Sequence, residues 1–116
     1  MPHFIIDCSA DTLMKVAESK ILSAVFKAGQ SSGLFADKDI KVRVNPYVRS
    51  EVGGEKIDFI HVFGHILEGR NEKQKSDLSQ RIVQSLVALF PFDEYIAASI
   101  EEFSIAGYCN RNTIEQ

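Results

Sequence analysis

The chain has 116 residues, of which 45% are hydrophobic and 25% charged, a composition typical of one globular domain rather than of a disordered chain. Its formal net charge is -3 and its cations form no block, so nucleic-acid binding through phosphate neutralisation is not expected. No apolar run approaches the ~20 residues of a membrane helix, and no signal peptide is recognisable, so a cytoplasmic protein without a membrane partner is expected.

The first predicted strand, HFIIDC, covers residues 3–8 and directly follows Pro2. Proline donates no ladder hydrogen bond, so it suits the first position of a strand. The next apolar residues recur at i, i+3 and i+4 spacing, which predicts a helix with Gly29 as its C-terminal cap. The apolar face of this helix contains Leu13, Val16, Ala17, Ile21, Ala24, Val25 and Ala28.

The second predicted strand covers residues 40–48, where apolar residues alternate with Lys41 and Arg43. Side chains alternate along a strand, so these two cations share one face, and Pro46 places the strand near an edge. Residues 51–56 contain Gly53-Gly54 and predict a hairpin turn. This turn predicts antiparallel pairing between the second strand and a third strand at 57–67.

A second helix is predicted from Asn71 onward, because Asn71 and Gln74 have the spacing of a capping box. Pro91 ends this helix. Residues 96–105 form the fourth predicted strand, and a polar tail covers residues 107–116.

The predicted fold class is α+β, with two fused β-α-β units at roughly 1–50 and 55–106 in a single domain. Right-handed crossovers give one mixed four-stranded sheet with both helices on the same face. The third strand is apolar on both faces, with Ile60 and Val62 on one and Phe59 and Phe63 on the other. Two helices leave one face uncovered, so oligomerisation through that face is expected. The alternative is a monomer whose tail folds over the sheet.

Pro2 has two interpretations: a residue that merely begins a strand, or a chemical group. Removal of Met1 would leave a free prolyl secondary amine. Nearby cations and a dry site lower the pKa of such an amine, so it could act as a general base near neutral pH.

Metal, redox and cofactor chemistry are not predicted. His61 and His65 lie four strand residues apart, roughly 13 Å, which is too far to share one ion. Cys8 and Cys109 lie in apolar stretches and are predicted to be reduced, buried thiols. The sequence contains no phosphate loop, dinucleotide fingerprint or nucleophile elbow.

Three cations are candidate ligands for a carboxylate substrate. Lys41 and Arg43 line one face of the strand parallel to the one that Pro2 begins, and Arg70 precedes the second helix, whose first backbone N–H groups favour anions. In the simpler interpretation, each of these cations is a solvated surface charge. That interpretation is preferred for a fourth cation, Arg49.

The segments PHFIIDCS, SGLF, IKVRV and GR, in this order, resemble the 5-carboxymethyl-2-hydroxymuconate isomerase family of the tautomerase superfamily. The resemblance implies a cofactor-free enzyme of aromatic-compound catabolism, a trimer with inward-facing sheets, and ketonisation of an unsaturated 2-hydroxy acid. It implies that Pro2 is the base and then the acid. Arg43 and Arg70 match family arginines, whereas Lys41 replaces one and so lacks the bidentate fork of a guanidinium.

A second hypothesis is a non-catalytic protein of the same fold that binds small acids or another protein and retains Met1. The nitrogen of Pro2 would then be an amide without basicity.

Overall fold

The computed structural model describes residues 1–114, so the last two residues of the predicted tail lie outside the described residues. The elements in chain order are β1 (His3–Ser9), α1 (Thr12–Lys15), α2 (Glu18–Ser31), a short 3-10 helix (Asp37–Asp39), β2 (Lys41–Tyr47), β3 (Ile60–Leu67), α3 (Glu72–Leu89) and β4 (Ile96–Phe103).

The four strands form one sheet in the order β2-β1-β3-β4. β1 is parallel to β2, β3 is parallel to β4, and β1 and β3 are antiparallel neighbours. Each β-α-β unit therefore closes on itself, and the units join through their first strands. The predicted α+β architecture, with a mixed sheet and two main helices, is confirmed.

The predicted pairing between the second and third strands is wrong, because β1 lies between them. β1 takes a central position since Phe4, Ile6 and Cys8 are fully buried, whereas the exposed β2, with Pro46, is an edge strand as expected. The turn itself is confirmed, with φ of 61° at Gly53 and 82° at Gly54, but it closes only one isolated bridge.

The predicted first helix is divided, because Val16 has extended φ and ψ of -137° and 137°. Gly29 is not the cap: it lies inside α2, where an added Cβ would lie 3.0 Å from the Phe4 ring. An added Cβ at Gly64 of β3 would lie 3.0 Å from the opposite edge of the same ring. The two glycines therefore make room for Phe4 between helix and sheet.

The predicted capping box of α3 is confirmed. The Asn71 side chain accepts a hydrogen bond from the Gln74 backbone N–H at 2.8 Å, and the Asn71 N–H donates to the Gln74 side chain at 3.0 Å. α3 ends at Leu89, two residues before Pro91.

One face of the sheet packs against the helices, and alternate residues point to the other, which we call the open face. The helix-covered face and the helices share one core. Among the residues that the structure describes, no helix is long and apolar enough to cross a bilayer. The open face carries His3, Ile5, Asp7, Lys41, Arg43, Asn45, His61, Phe63, His65, Ala97, Ser99 and Glu101.

Candidate functional site

The start of the chain is fixed against the start of β2. The Pro2 ring is fully buried, and its carbonyl accepts a hydrogen bond from the Lys41 backbone N–H at 3.2 Å. The register places His3 directly opposite Lys41. The first residues are therefore part of the sheet rather than a free terminus.

Two of the predicted cations act on the amino terminus. Burial lowers the pKa of the Met1 amine below its usual value, Asp39 opposes this shift, and the charges of Lys41 and Arg70 lower the pKa further. The structure thus brings Lys41 and Arg70 to the same end of the sheet as Pro2. The Lys41 ammonium is exposed and donates to the Asp39 carbonyl at 3.1 Å.

Arg70 is half-buried and is held in place by contacts with the chain. Its guanidinium donates to the carbonyl of Leu34 at 2.8 Å and to that of Leu67 at 3.3 Å. It also lies over the Phe35 ring, 5.2 Å from the centroid, a cation–π distance. The SGLF and GR segments, far apart in sequence, therefore meet at this residue.

Arg43 lies on the same face of β2 as Lys41 but has a different neighbour. Its guanidinium lies 3.2 Å from Nδ1 of His3. A guanidinium only donates, so this nitrogen is the acceptor and carries no proton. Burial and then the charge of Arg43 lower the pKa of His3, which favours this neutral form.

Beside Arg43 a cavity of about 550 Å³ opens on the open face, at the end of the sheet where β1 and β2 begin. Sequence reasoning missed His65 and Tyr108 in its lining, and gave His3 no function. The antiparallel register of β1 and β3 identifies the two histidines as neighbours, because it places His3 opposite His65. The lining includes His3, Arg43, His65, Phe103 and Tyr108.

The remaining histidine and the cysteines do not join this site. His61 lies 3.0 Å from the Ser99 hydroxyl and stacks on Phe63, and residues 1–114 contain no group of three His, Cys, Asp or Glu side chains able to hold a metal. Cys8 is buried as predicted, and burial raises the pKa of its thiol to about 11. Cys109 is exposed, contrary to the prediction, because it lies in the turns beyond β4.

Neither a protein-family model nor a curated protein matches the chain, but solved structures do. A 5-carboxymethyl-2-hydroxymuconate isomerase from Deinococcus radiodurans R1 superimposes with a TM-score of 0.82 at 20% identity, over 95% of this chain and 88% of that chain. Pt0534, solved as inactivated by 2-oxo-3-pentynoate, has a TM-score of 0.82 at 15% identity, over 97% and 94%.

A third match is a fused 4-OT solved as an asymmetric trimer, with a TM-score of 0.80 at 9% identity, over 94% of this chain and 92% of that chain. Likeness at these identities concerns the fold. The fold implied by the sequence resemblance is confirmed: this chain has the tautomerase fold.

Proposed function

We propose that this protein is an isomerase that catalyses keto–enol tautomerisation of a small unsaturated 2-hydroxy or 2-oxo carboxylic acid, such as 5-carboxymethyl-2-hydroxymuconate. The observation that carries the proposal is the setting of Pro2, whose ring is fully buried and whose carbonyl accepts a hydrogen bond from the Lys41 backbone N–H. Burial, Lys41 and Arg70 also lower the pKa of the adjacent Met1 amine. The fold adds support, since one structural neighbour is an isomerase of that compound and another is inactivated by a 2-oxo acid.

Pro2 is the proposed general base, and it requires removal of Met1. The ring nitrogen is then a secondary amine at the start of β1, where the backbone already pairs with Lys41. We infer that burial and the same two cations, which lower the pKa of the adjacent Met1 amine, also disfavour the protonated form of this nitrogen. A neutral amine near neutral pH is what the reaction requires of a base.

The reaction transfers one proton and needs no oxidant or cofactor. The neutral Pro2 nitrogen takes the proton of the substrate 2-hydroxyl, and the 2-oxo group forms as electrons move along the conjugated chain. The protonated Pro2 then returns the proton to a carbon of that chain. Atoms and charge balance, and the nitrogen ends neutral.

Lys41, Arg43 and Arg70 are the proposed carboxylate-binding residues. Charged donors beside the amino terminus stabilise the negative charge that develops as the enol ionises. Arg70 is suited to this task because its backbone and aromatic contacts fix its position. Lys41 supplies charge without a bidentate fork.

A homotrimer with its open faces inward is the proposed assembly. The open face is mostly polar, but Ile5 and Phe63 on it are half-buried in a single chain, as are Phe59 just before β3 and Leu67 at its end. Apolar side chains on an uncovered sheet face are typical of an association site. Two fused 4-OT structures with this fold are trimers. Light scattering should give three times the 13.0 kDa of one chain, and a monomer would contradict the assembly.

The second candidate, a small-acid-binding or interaction protein that retains Met1, is favoured by the Pro2 ring being fully buried in the structure. A keto–enol absorbance assay with 2-hydroxymuconate or phenylenolpyruvate separates the two functions. Wild type should show turnover that is lost in Pro2→Ala and kept in Arg49→Gln, which changes an exposed arginine after β2. Equal turnover in Pro2→Ala would refute the mechanism.

A further inference from the structure

All three histidines of the chain lie on the open face of the sheet. His3 is on β1, and His61 and His65 are on β3. Each is half-buried in a single chain. Histidine has an ordinary pKa of about 6.5, so its charge changes within the physiological pH range. The charge of the open face therefore depends on pH near neutrality.

His3 and His65, which we call the histidine pair, lie directly opposite each other in the β1–β3 register. Lys41 and Arg43 face His3 from β2: Lys41 is its register partner, and the Arg43 guanidinium lies 3.2 Å from its Nδ1. Glu101 on β4 is the register partner of His65. With both rings protonated, the pair and the two β2 cations would set four positive charges against one carboxylate.

The surroundings of His3 favour its neutral form. Its Nδ1 accepts a hydrogen bond from a guanidinium, so this nitrogen carries no proton while the contact lasts. Burial lowers the pKa of His3, and the charges of Arg43 and Lys41, followed by that of the amino terminus, lower it further. Tyr108 adds a phenol to the same cavity, and acid leaves a phenol neutral. Protonation of this ring is therefore opposed by nearly all of its neighbours.

His61 differs from the histidine pair because a carboxylate lies opposite it. Asp7 is its register partner on β1, and its ring lies 3.0 Å from the Ser99 hydroxyl and stacks on Phe63. A proton on His61 would place a positive charge opposite a negative one. The structure thus contains a third open-face histidine that can take up a proton without adding to the positive charge around the pair.

We propose that the histidine pair makes assembly of the protein depend on pH, so that copies associate when both rings are neutral and separate when they are protonated. The proposal rests on the proposed function, which includes a trimer with its open faces inward. Threefold symmetry repeats each added charge on all three chains, so like charges face one another across the axis. Contact between the faces also removes water from the rings, which further disfavours their charged form.

The sign of the pH dependence follows from these two effects. An assembly that lowers the pKa of a histidine is fully stable above the ordinary pKa of about 6.5 and is lost as the pH falls below it. One proton taken up by each of three separating chains corresponds to about a thousandfold decrease in the assembly constant per pH unit. The expected range of loss is therefore about pH 6.5 to 5.

Sedimentation over a dilution series, at about pH 7.5 and about pH 5, measures the assembly constant directly. Urea at a concentration below the unfolding transition weakens the trimer so that it separates at measurable protein concentrations. The assembly constant should fall at least about a thousandfold between the two pH values. The same constant at both would overturn the proposal.

Glutamine is the informative replacement, because it stays neutral and its amide oxygen can accept a hydrogen bond from Arg43 as Nδ1 does. The double variant His3→Gln with His65→Gln should remain trimeric at both pH values, and each single variant should lose part of the pH dependence. His61→Gln is the matched control and should keep all of it. A pH dependence that survives the double substitution, or that is lost in His61→Gln, would also overturn the proposal.

Sedimentation is the chosen measurement because acid also protonates the proposed base and lowers turnover whatever the state of assembly. A trimer with one assembly constant at both pH values would refute the role of the histidine pair and leave the proposed trimer intact. A monomer at about pH 7.5 would refute both. Turnover of Pro2→Ala at neutral pH tests the base separately from either.

Discussion

Lys41 has two tasks in the proposed site, and replacing it with glutamine tests both. Burial and the charge of Lys41 lower the pKa of the Met1 amine, and the exposed Lys41 ammonium, which donates one hydrogen bond to the Asp39 carbonyl, has further N–H groups for a carboxylate. Lys41→Gln removes the charge and keeps a side chain of similar length with a hydrogen-bond donor. The backbone N–H that pairs with Pro2 is unchanged.

The loss of catalytic efficiency follows from the carboxylate contact. A hydrogen bond to a charged group contributes about 1.5–3 kcal/mol, so its loss should lower kcat/KM by about 10- to 150-fold. The pH profile should change as well. A base must be neutral to accept a proton, and removal of a cation that lowers its pKa raises that pKa. The acidic limb of kcat/KM should therefore move to higher pH.

Steady-state kinetics over a pH series, with a 2-hydroxymuconate substrate, measures both effects. Lys38→Gln is the matched control, because Lys38 is exposed three residues earlier and is not among the charges that shift the amine pKa. Lys41→Arg keeps the charge and should keep the acidic limb in place. An unmoved acidic limb in Lys41→Gln, or the same loss in Lys38→Gln, would refute the reasoning.

Three predictions concern stability, each measured by urea unfolding. Gly64→Ala should lower the free energy of unfolding by about 1–3 kcal/mol, because the new Cβ would lie 2.8 Å from Cδ1 of Ile100 and 3.0 Å from the Phe4 ring. The opposite edge of that ring lies against Gly29 of α2, so the ring has little room to move. An unchanged midpoint of unfolding would contradict this packing. Asn71→Ala should cost about 1 kcal/mol by removing the α3 cap, and a change within error would show that the cap contributes nothing. The pKa of Asp58 is lowered mainly by its hydrogen bond from Lys15, which lies 2.8 Å away. The contribution of this ion pair to the free energy of unfolding is therefore complete above the unfolded pKa of about 3.9. That contribution is lost as the pH falls through the folded pKa. Asp58→Asn should therefore be less stable than wild type at pH 7, with a difference that shrinks toward pH 3; a constant difference would argue against the ion pair.

Local signals in the sequence were sufficient for the elements of the second unit. Asn71 and Gln74 define the start of α3 by contacts within one turn, and Pro91 follows its end. The first helix was harder to predict, because Val16 fits the apolar period although its backbone is extended. Periodicity reports which face a residue occupies and does not detect a single residue that leaves the helical conformation.

Strand order depended on competition between distant segments. The two glycines at 53–54 correctly predicted a turn, yet the turn does not pair β2 with β3, because the more buried β1 takes the place between them. No short stretch of the sequence shows which of these strands will be the most buried. Because the third strand was predicted to pair with the second, His65 was not expected near His3. The two residues lie opposite each other only in the β1–β3 register.

The substrate-binding roles of Lys41, Arg43 and Arg70 stay predictions. The structure does bring Lys41 and Arg70, which are far apart in sequence, close enough to the amino terminus for both charges to lower the pKa of the Met1 amine, after burial. Arg43 instead contacts His3, and Tyr108 belongs to a segment after β4 that the sequence described only as a polar tail.

The central claim is that the mature protein begins with a prolyl amine that is neutral near pH 7. A ¹⁵N NMR titration of proline-labelled protein measures it directly, with the free peptide PHFI as the reference. The claim predicts a titrating secondary amine whose pKa lies below that of the peptide, because burial, Lys41 and Arg70, which lower the pKa of the Met1 amine, should act on the adjacent Pro2 nitrogen in the same direction. A Pro2 nitrogen that does not titrate because Met1 remains attached, or one with the pKa of the peptide, would contradict it.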